Sequence, residues 1–208
     1  MIIGVDFDNT IAGYDNLMYS IAFEWGLVDA GIERNKKRIR DAIRIRPNGE
    51  ALWQRLQVAA YGDRINEAVL IEGVIEFFLF CKEHSIPIWI ISHKVNYPNQ
   101  NELGVNLREA AMAWLGKHGF FAKNGIGIDR LQVYFEDTRA DKIARIRKLR
   151  VTHFIDDLEE TFADPTFPPE VEKILYSRHR SVDAPDIKSF TSWKEIRGYL
   201  LSKVPYPL

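Results

Sequence analysis

Asp6 and Asp8 stand one residue apart in Asp6-Phe7-Asp8-Asn9-Thr10, directly after the apolar run Ile2-Ile3-Gly4-Val5. Ionised carboxylates that leave an apolar strand must be paired or must coordinate a metal. A turn built only for structure rarely needs two acids and a hydroxyl together. These residue types suit a nucleophilic carboxylate, an acid/base partner and a divalent cation. Two later stretches add to the set. Ser92, His93 and Lys94 follow the run Ile86 to Ile91, and Asp156 and Asp157 follow Thr152 to Ile155, with Glu159 and Glu160 close behind. Lys142 lies on the helical pattern leading into that last run.

The elements that must position these groups can be read from periodicity. Five short apolar runs predict buried strands: Ile2 to Val5, Ile86 to Ile91, Leu131 to Phe135, Thr152 to Ile155 and Val171 to Tyr176. Their Ile and Val content suits a parallel sheet covered on both faces. Helical patterns lie between them, at Asn66 to Glu83, Leu107 to His118, Arg139 to Leu149 and Ser192 to Ser202. On the third of these, Ile143 and Ile146 share one stripe. Strands alternating with helices imply an α/β fold, a three-layer Rossmann-like parallel sheet. The stretch from Gly13 to about Ile65 is too long for one crossover and carries three helical patterns of its own, Asn16 to Leu27, Arg34 to Ile45 and Glu50 to Tyr61. It reads as a small helical insert after the first strand. The expected division is therefore 1–12 and 66–208 as the core, with 13–65 as the insert. Tyr14, Tyr19, Trp25 and Trp53 are expected in the insert's own core, with Tyr14 near enough to Thr10 to line an entrance.

In open parallel sheets a site forms beyond the carboxyl ends of the strands. Adjacent parallel strands would bring Asp6, Asp8, Thr10, Ser92, Lys142, Asp156 and Asp157 into one pocket. Each group has a task in phosphoryl transfer. Asp6 would attack phosphorus and form an acyl phosphate. Asp8 would protonate the departing oxygen and later take a proton from water. Four carboxylates this close need cationic compensation. A hard, oxygen-seeking ion such as Mg²⁺ supplies it, held by Asp6, the backbone carbonyl of Asp8, and Asp156 or Asp157. Ser92 and Lys142 would bind phosphate oxygens.

With these residues in place, the chain resembles a haloacid dehalogenase superfamily phosphatase. That family's first motif, Asp-x-Asp-x-Thr, matches Asp6, Asp8 and Thr10, and its serine motif matches Ser92. Its lysine motif is matched by Lys142, with Lys148 and Lys123 as rivals, and its acidic pair by Asp156 and Asp157. The match spans about residues 1 to 160, and the insert lies where that family carries a helical cap. The resemblance implies a phosphate-binding role for Thr10. It also implies phosphomonoester chemistry, because family dehalogenases lack an acid at the position of Asp8 and transport ATPases carry threonine there. The Phe-Ile-Asp-Asp form is similar to the deoxyribonucleotidase branch.

Other features narrow the reading. The formal net charge of −1 argues against a nucleic-acid or membrane partner, and the single cysteine, Cys81, excludes an internal disulfide framework and suits a reducing compartment. The apolar run at the start stops at Asp6, short of a signal-peptide core, so the cytoplasm is the expected location. The basic stretch Arg34 to Arg46 reads as a solvated helix face, with one or two residues available to an anionic substrate. His93, Lys94 and the polar loop Asn96 to Asn101 are candidates for recognising the leaving group. His84, His118, His153 and His179 have no ligand-like spacing, which argues against a zinc site. The expected substrate is a small phosphorylated metabolite, such as a nucleoside or sugar monophosphate. The alternatives are a phosphomutase of the same fold, a non-catalytic phosphate-binding regulatory module, and a phosphatase acting on polynucleotide ends.

Overall fold

A computed structural model describes residues 1–99, 104–178 and 184–203. Gln100 and Asn101 of the polar loop, and His179, lie outside the described residues. β1 (Ile3–Val5) is hydrogen-bonded in parallel to β4 (Ile88–His93) on one side and to β6 (His153–Asp156) on the other. β5 (Val133–Glu136) extends the sheet beyond β4. β7 (Glu172–Tyr176) and β8 (Ile187–Phe190) extend it beyond β6, all in parallel. The order β5-β4-β1-β6-β7-β8 puts the first strand between the two strands that carry Ser92 and Asp156 near their carboxyl ends. The α/β fold expected from the alternating pattern is therefore present.

Contacts along the chain separate two compact units. The first is Met1–Ile11, Ile71–His93 and Gly119–Leu208; the second is Ala12–Leu70 and Lys94–His118. The second unit contains the whole insert at 13–65 and, in addition, Ala12 and residues 66–70 and 94–118.

In the first unit, successive side chains of each strand face opposite sides of the sheet. One side packs on α6 (Arg139–Lys148), whose Ile143 and Ile146 join Ile91, Phe154, Leu175, Phe162 and Phe167 in one cluster. The other side carries Tyr176, whose ring lies 5.9 Å from that of Trp193 on α8 (Trp193–Leu201). α8 packs on α4 (Val74–Glu83), with the Trp193 and Phe77 rings 4.8 Å apart. Helical layers on both faces make the three-layer arrangement. α7 (Glu159–Phe162) is a single turn after β6.

Gly4 shows why the central strand has this sequence. It pairs with Phe154 across the β1–β6 ladder, and a Cβ at residue 4 would stand 2.6 Å from the Phe154 ring and 3.2 Å from Val151. The ring folds over the space that a side chain would need. Gly4→Val should therefore cost about 1–3 kcal/mol of stability through overpacking, read as a lower urea midpoint at unchanged slope.

In the second unit, α1 (Asp15–Glu24), α2 (Lys36–Arg44) and α3 (Gly49–Tyr61) pack on one another, and α5 (Leu107–Lys117) packs on α3. A short antiparallel ribbon joins β2 (Ala12–Gly13) to β3 (Val69–Leu70). Met18, Ile21, Ile39, Ile43, Trp53 and Leu56 are buried there, with Tyr14. No helix among the described residues is long and apolar enough to cross a membrane.

Three expectations need correction, and one strand was not foreseen. The helix expected over Asn66 to Glu83 is a 3₁₀ turn at Ile65–Glu67, then β3, then α4. Pairing of Val69 and Leu70 with Gly13 and Ala12 takes the backbone out of helix, and Gly73 at φ +85° forms the entry to α4. Tertiary pairing overrides the local period. Trp25 is not in the insert's core but 44% exposed, because α1 ends at Glu24 and Gly26, at φ +64°, turns the chain away. Leu131 is exposed on a 3₁₀ turn, Arg130–Gln132, capped by Asp129, so that strand begins only at Val133. β8 was not expected: an edge strand reading Ile-Lys-Ser-Phe offers too short an alternation to distinguish it from loop.

Candidate functional site

The first unit places its acidic residues at the carboxyl ends of β1 and β6. Asp6 directly follows β1, and its backbone N–H donates to the Ile155 carbonyl at 2.8 Å, so the chain is still in the sheet where the carboxylate leaves it. The Asp6 side chain is buried. Its Oδ1 accepts from Ser92 Oγ at 2.8 Å and from Lys142 Nζ at 2.6 Å. Lys142 Nζ also donates to Asp156 Oδ2 at 2.7 Å.

Each partner is delivered by an element the sequence encodes. Ser92 is the fifth residue of β4, in register with Phe135 on β5. Lys142 lies in the first turns of α6, which Thr138 caps by accepting from the Asp141 N–H. It is buried beside Ile143, with Nζ 5.2 Å from the centre of the Phe154 ring. Phe154 and Asp156 point to the same face of β6, so the lysine stem packs along the sheet and its head meets the carboxylate. Asp156 Oδ1 accepts from the Leu158 N–H at 3.0 Å, which turns the chain and presents Asp157 next to it.

Burial pushes the Asp6 carboxyl up to about 6; Asp156 and Asp8 add to the rise, and Lys142 opposes it. Burial alone would lower the Lys142 ammonium, but Asp156 and Asp6 outweigh it and hold the group above the usual lysine range. The lysine is thus a fixed cation between two buried carboxylates.

Carboxylate oxygens of Asp6, Asp156 and Asp157 lie within 4.8 Å of one another. Three hard oxygen donors at this spacing fit a cation such as Mg²⁺ and would leave positions for water or a phosphate oxygen. The Asp8 side chain is half-buried and stands outside that group of three, though its charge reaches Asp6.

The remaining candidates are placed as follows. Thr10 is fully buried, and its Oγ1 has no hydrogen-bond partner among the described residues. His93 ends β4, exposed, with its ring hydrogen-bonded to the backbone of Asp137. Lys94 and Tyr14 belong to the second unit, where both meet Tyr61: Lys94 Nζ is 4.5 Å from that ring's centre, and the Tyr14 ring packs edge-on at 4.8 Å. Lys123 and Lys148 are exposed, so Lys142 is the lysine that reaches the carboxylates.

Sequence reasoning passed over Asn9 and Trp193. Asn9 adopts φ +58° inside the Asp6–Thr10 turn, a left-handed conformation that asparagine tolerates better than most residues. The indole N–H of Trp193 donates to the Thr10 carbonyl at 3.0 Å. The asparagine was legible as a turn former; the tryptophan, 183 positions away, gave no local signal.

No family model matches the chain, and no curated protein matches it either. Solved structures do. A HAD-family hydrolase from Deinococcus radiodurans, crystallised with bound phosphate and sodium, aligns over 100% of this chain and 98% of its own, at 14% identity and a TM-score of 0.59. A HAD-superfamily hydrolase from Ehrlichia chaffeensis aligns over 98% and 97%, at 15% identity and a TM-score of 0.53. The chain has the haloacid dehalogenase fold. A dehalogenase shares that fold with it as well, over 95% of this chain and 96% of its own, at 12% identity and a TM-score of 0.56. The haloacid dehalogenase fold thus accommodates proteins of more than one named activity, so reaction type must be argued from the residues at the strand ends.

Proposed function

We propose that this chain is a Mg²⁺-dependent hydrolase of the haloacid dehalogenase superfamily, acting on a small phosphomonoester through an aspartyl phosphate on Asp6. The observation that carries the reading is the buried Asp6 carboxylate, held by Ser92 and Lys142 and grouped with Asp156 and Asp157.

In this reading Asp6 attacks phosphorus, and the P–O bond to the leaving alcohol breaks. Asp8 gives its proton to the departing oxygen, then takes one from the water that attacks the acyl phosphate, which returns Asp6 as carboxylate and releases inorganic phosphate. Ser92 and Lys142 orient Asp6 before attack and bind phosphate oxygens as charge redistributes. Thr10 joins them in phosphate binding. Mg²⁺ held by Asp6, Asp156 and Asp157 would neutralise charge on the transferring group. His93, at the end of β4, is the proposed contact to the remainder of the substrate within the first unit.

Because a dehalogenase shares the fold, haloacid chemistry is the second reading. Asp8 weighs against it. A departing halide needs no proton, whereas an alkoxide does, so an acid two residues after the nucleophile has a task only in ester cleavage. A panel of phosphorylated metabolites and 2-haloacids, each with and without Mg²⁺, separates the two. Phosphate release that requires Mg²⁺ is expected; halide release without it would overturn the proposal. Asp8→Asn should slow phosphate release by about 10²–10⁴ and should act most strongly on esters of poor leaving groups. An equal effect on good and poor leaving groups would remove the acid role.

A further inference from the structure

We infer that Trp193 is a positioning residue for the Asp6–Thr10 turn, holding it through the Thr10 carbonyl; this rests on the function proposed above. The turn carries both acids and is tied to the sheet at its entry and to neighbouring elements at its exit. The Asp6 N–H is fixed to the sheet, the Ile11 N–H donates to the Phe7 carbonyl at 2.9 Å, and Phe7 packs edge-on against Phe135 at 5.8 Å. Between those points Asn9 takes a left-handed conformation, and Thr10 is buried with its hydroxyl unpartnered among the described residues. At the turn's exit two carbonyls are held: that of Ile11 accepts from the Ile71 N–H at 3.0 Å, and that of Thr10, nearer the acids, accepts from the indole N–H at 3.0 Å.

The tryptophan is itself held from several sides. It opens α8 behind a capping box in which Ser192 Oγ accepts from the Glu195 N–H and Glu195 accepts from the Ser192 N–H. Its ring lies 4.8 Å from Phe77 and 5.9 Å from Tyr176, and it is 1% exposed. Gly73 leaves room for it, since a Cβ there would stand 2.8 Å from the Trp193 Cβ. A donor so constrained cannot follow the carbonyl if the turn drifts. It acts as a fixed stop, two residues beyond Asp8. None of the residues read as carrying the chemistry lies on α8, and this bond links the helix to the turn that carries the two acids.

The test removes the donor and keeps the bulk. Trp193→Phe, and a chain carrying benzothienylalanine at 193 (the same bicyclic shape without an N–H), are compared with the unaltered protein on p-nitrophenyl phosphate and on an alkyl phosphate in Mg²⁺. Displacement of the acid by a fraction of an ångström should lower kcat about tenfold on the alkyl ester, less on the nitrophenyl ester, with KM within about twofold. Amide exchange of residues 6–11 should rise in both variants, while that of the β4 and β6 amides stays unchanged. If both variants keep kcat within about twofold on both esters, the inference is overturned and the bond only stabilises. If the unaltered protein hydrolyses neither ester, the proposed function fails instead. Exchange alone then decides the placement of the turn: unchanged protection of residues 6–11 rejects it, and selective loss supports it.

Discussion

Asp6→Asn should fold, and its phosphate release should fall on the order of 10⁴-fold or more, the scale on which loss of a covalent nucleophile is felt. The amide keeps the volume and can still accept from Ser92 and Lys142 through its oxygen, so the contacts at 2.8 and 2.6 Å need not be lost. What disappears, on the proposed mechanism, is the ability to form an acyl phosphate. The same substitution has a second, opposite consequence for stability. Burial raises the Asp6 carboxyl from 3.8 to about 6, so without metal the folded state holds this proton over a range where the unfolded state has released it. Asp6 therefore contributes least to stability above pH 6, and its contribution improves as pH falls towards 4. A shift of this size corresponds to about 3 kcal/mol. Relative to the unaltered protein, metal-free Asp6→Asn should thus gain urea stability between about pH 4 and 7, by up to that amount. Mg²⁺ should stabilise the unaltered protein more than the variant. Normal turnover in the variant would remove the nucleophile assignment, and a flat stability difference across that pH range would remove the account of the buried carboxylate.

The parts of the molecule legible in the sequence are those whose signal is local. Ile3 to Val5 and Phe154 to Ile155 are apolar on both faces because helices cover both sides of the sheet, and a run ending abruptly in Asp6 or Asp156 marks the strand end that faces a site. Helix α6 announced itself through Ile143 and Ile146, but the choice of Lys142 over its rivals Lys148 and Lys123 was left open by the sequence and rests on burial in the fold. What was illegible depends on distant pairing. Val69 and Leu70 leave the helical pattern only because Ala12 and Gly13 pair with them. The fate of 94–118 was hidden for the same reason: α5 has an ordinary amphipathic pattern, and nothing in it tells that Trp114 Nε1 donates to the Ala68 carbonyl at 3.2 Å, or that Arg108 Nε donates to the Lys94 carbonyl at 2.7 Å, within the second unit. Trp193 belongs to the same class. Its place on an apolar helix face was predictable, whereas the acceptor of its N–H was set by residues at the other end of the chain.

Lys142→Met should produce the largest loss of stability, and the loss should depend on pH and metal. The lysine head lies between Asp6 Oδ1 and Asp156 Oδ2, at 2.6 and 2.7 Å, and all three side chains are nearly inaccessible. Methionine fills most of the stem's volume but leaves two buried carboxylates facing one another without a cation. Breaking a buried ion pair by removing one partner typically costs about 3–5 kcal/mol. The Asp6 carboxyl can escape part of that cost by taking a proton. Lys142 at present opposes the rise that burial imposes on Asp6, so its removal moves that group above 6. The folded variant then binds more protons than the unfolded chain at neutral pH, and its stability falls as pH rises through that window. The deficit against the unaltered protein should be small near pH 5 and full at about pH 8. Mg²⁺, bound by Asp6, Asp156 and Asp157, would replace the missing cation and recover part of the loss. Turnover in Mg²⁺ should nevertheless fall by about 10²–10³, because the charge proposed to bind phosphate is gone from its fixed position. Lys148→Met supplies the control: that lysine is exposed, and its replacement should change stability by less than about 0.5 kcal/mol. Urea unfolding of the two variants at both pH values, with and without Mg²⁺, decides the matter. If Lys142→Met is no more costly than Lys148→Met at high pH without metal, the carboxylates are not held by this ammonium, and the site as built here does not exist.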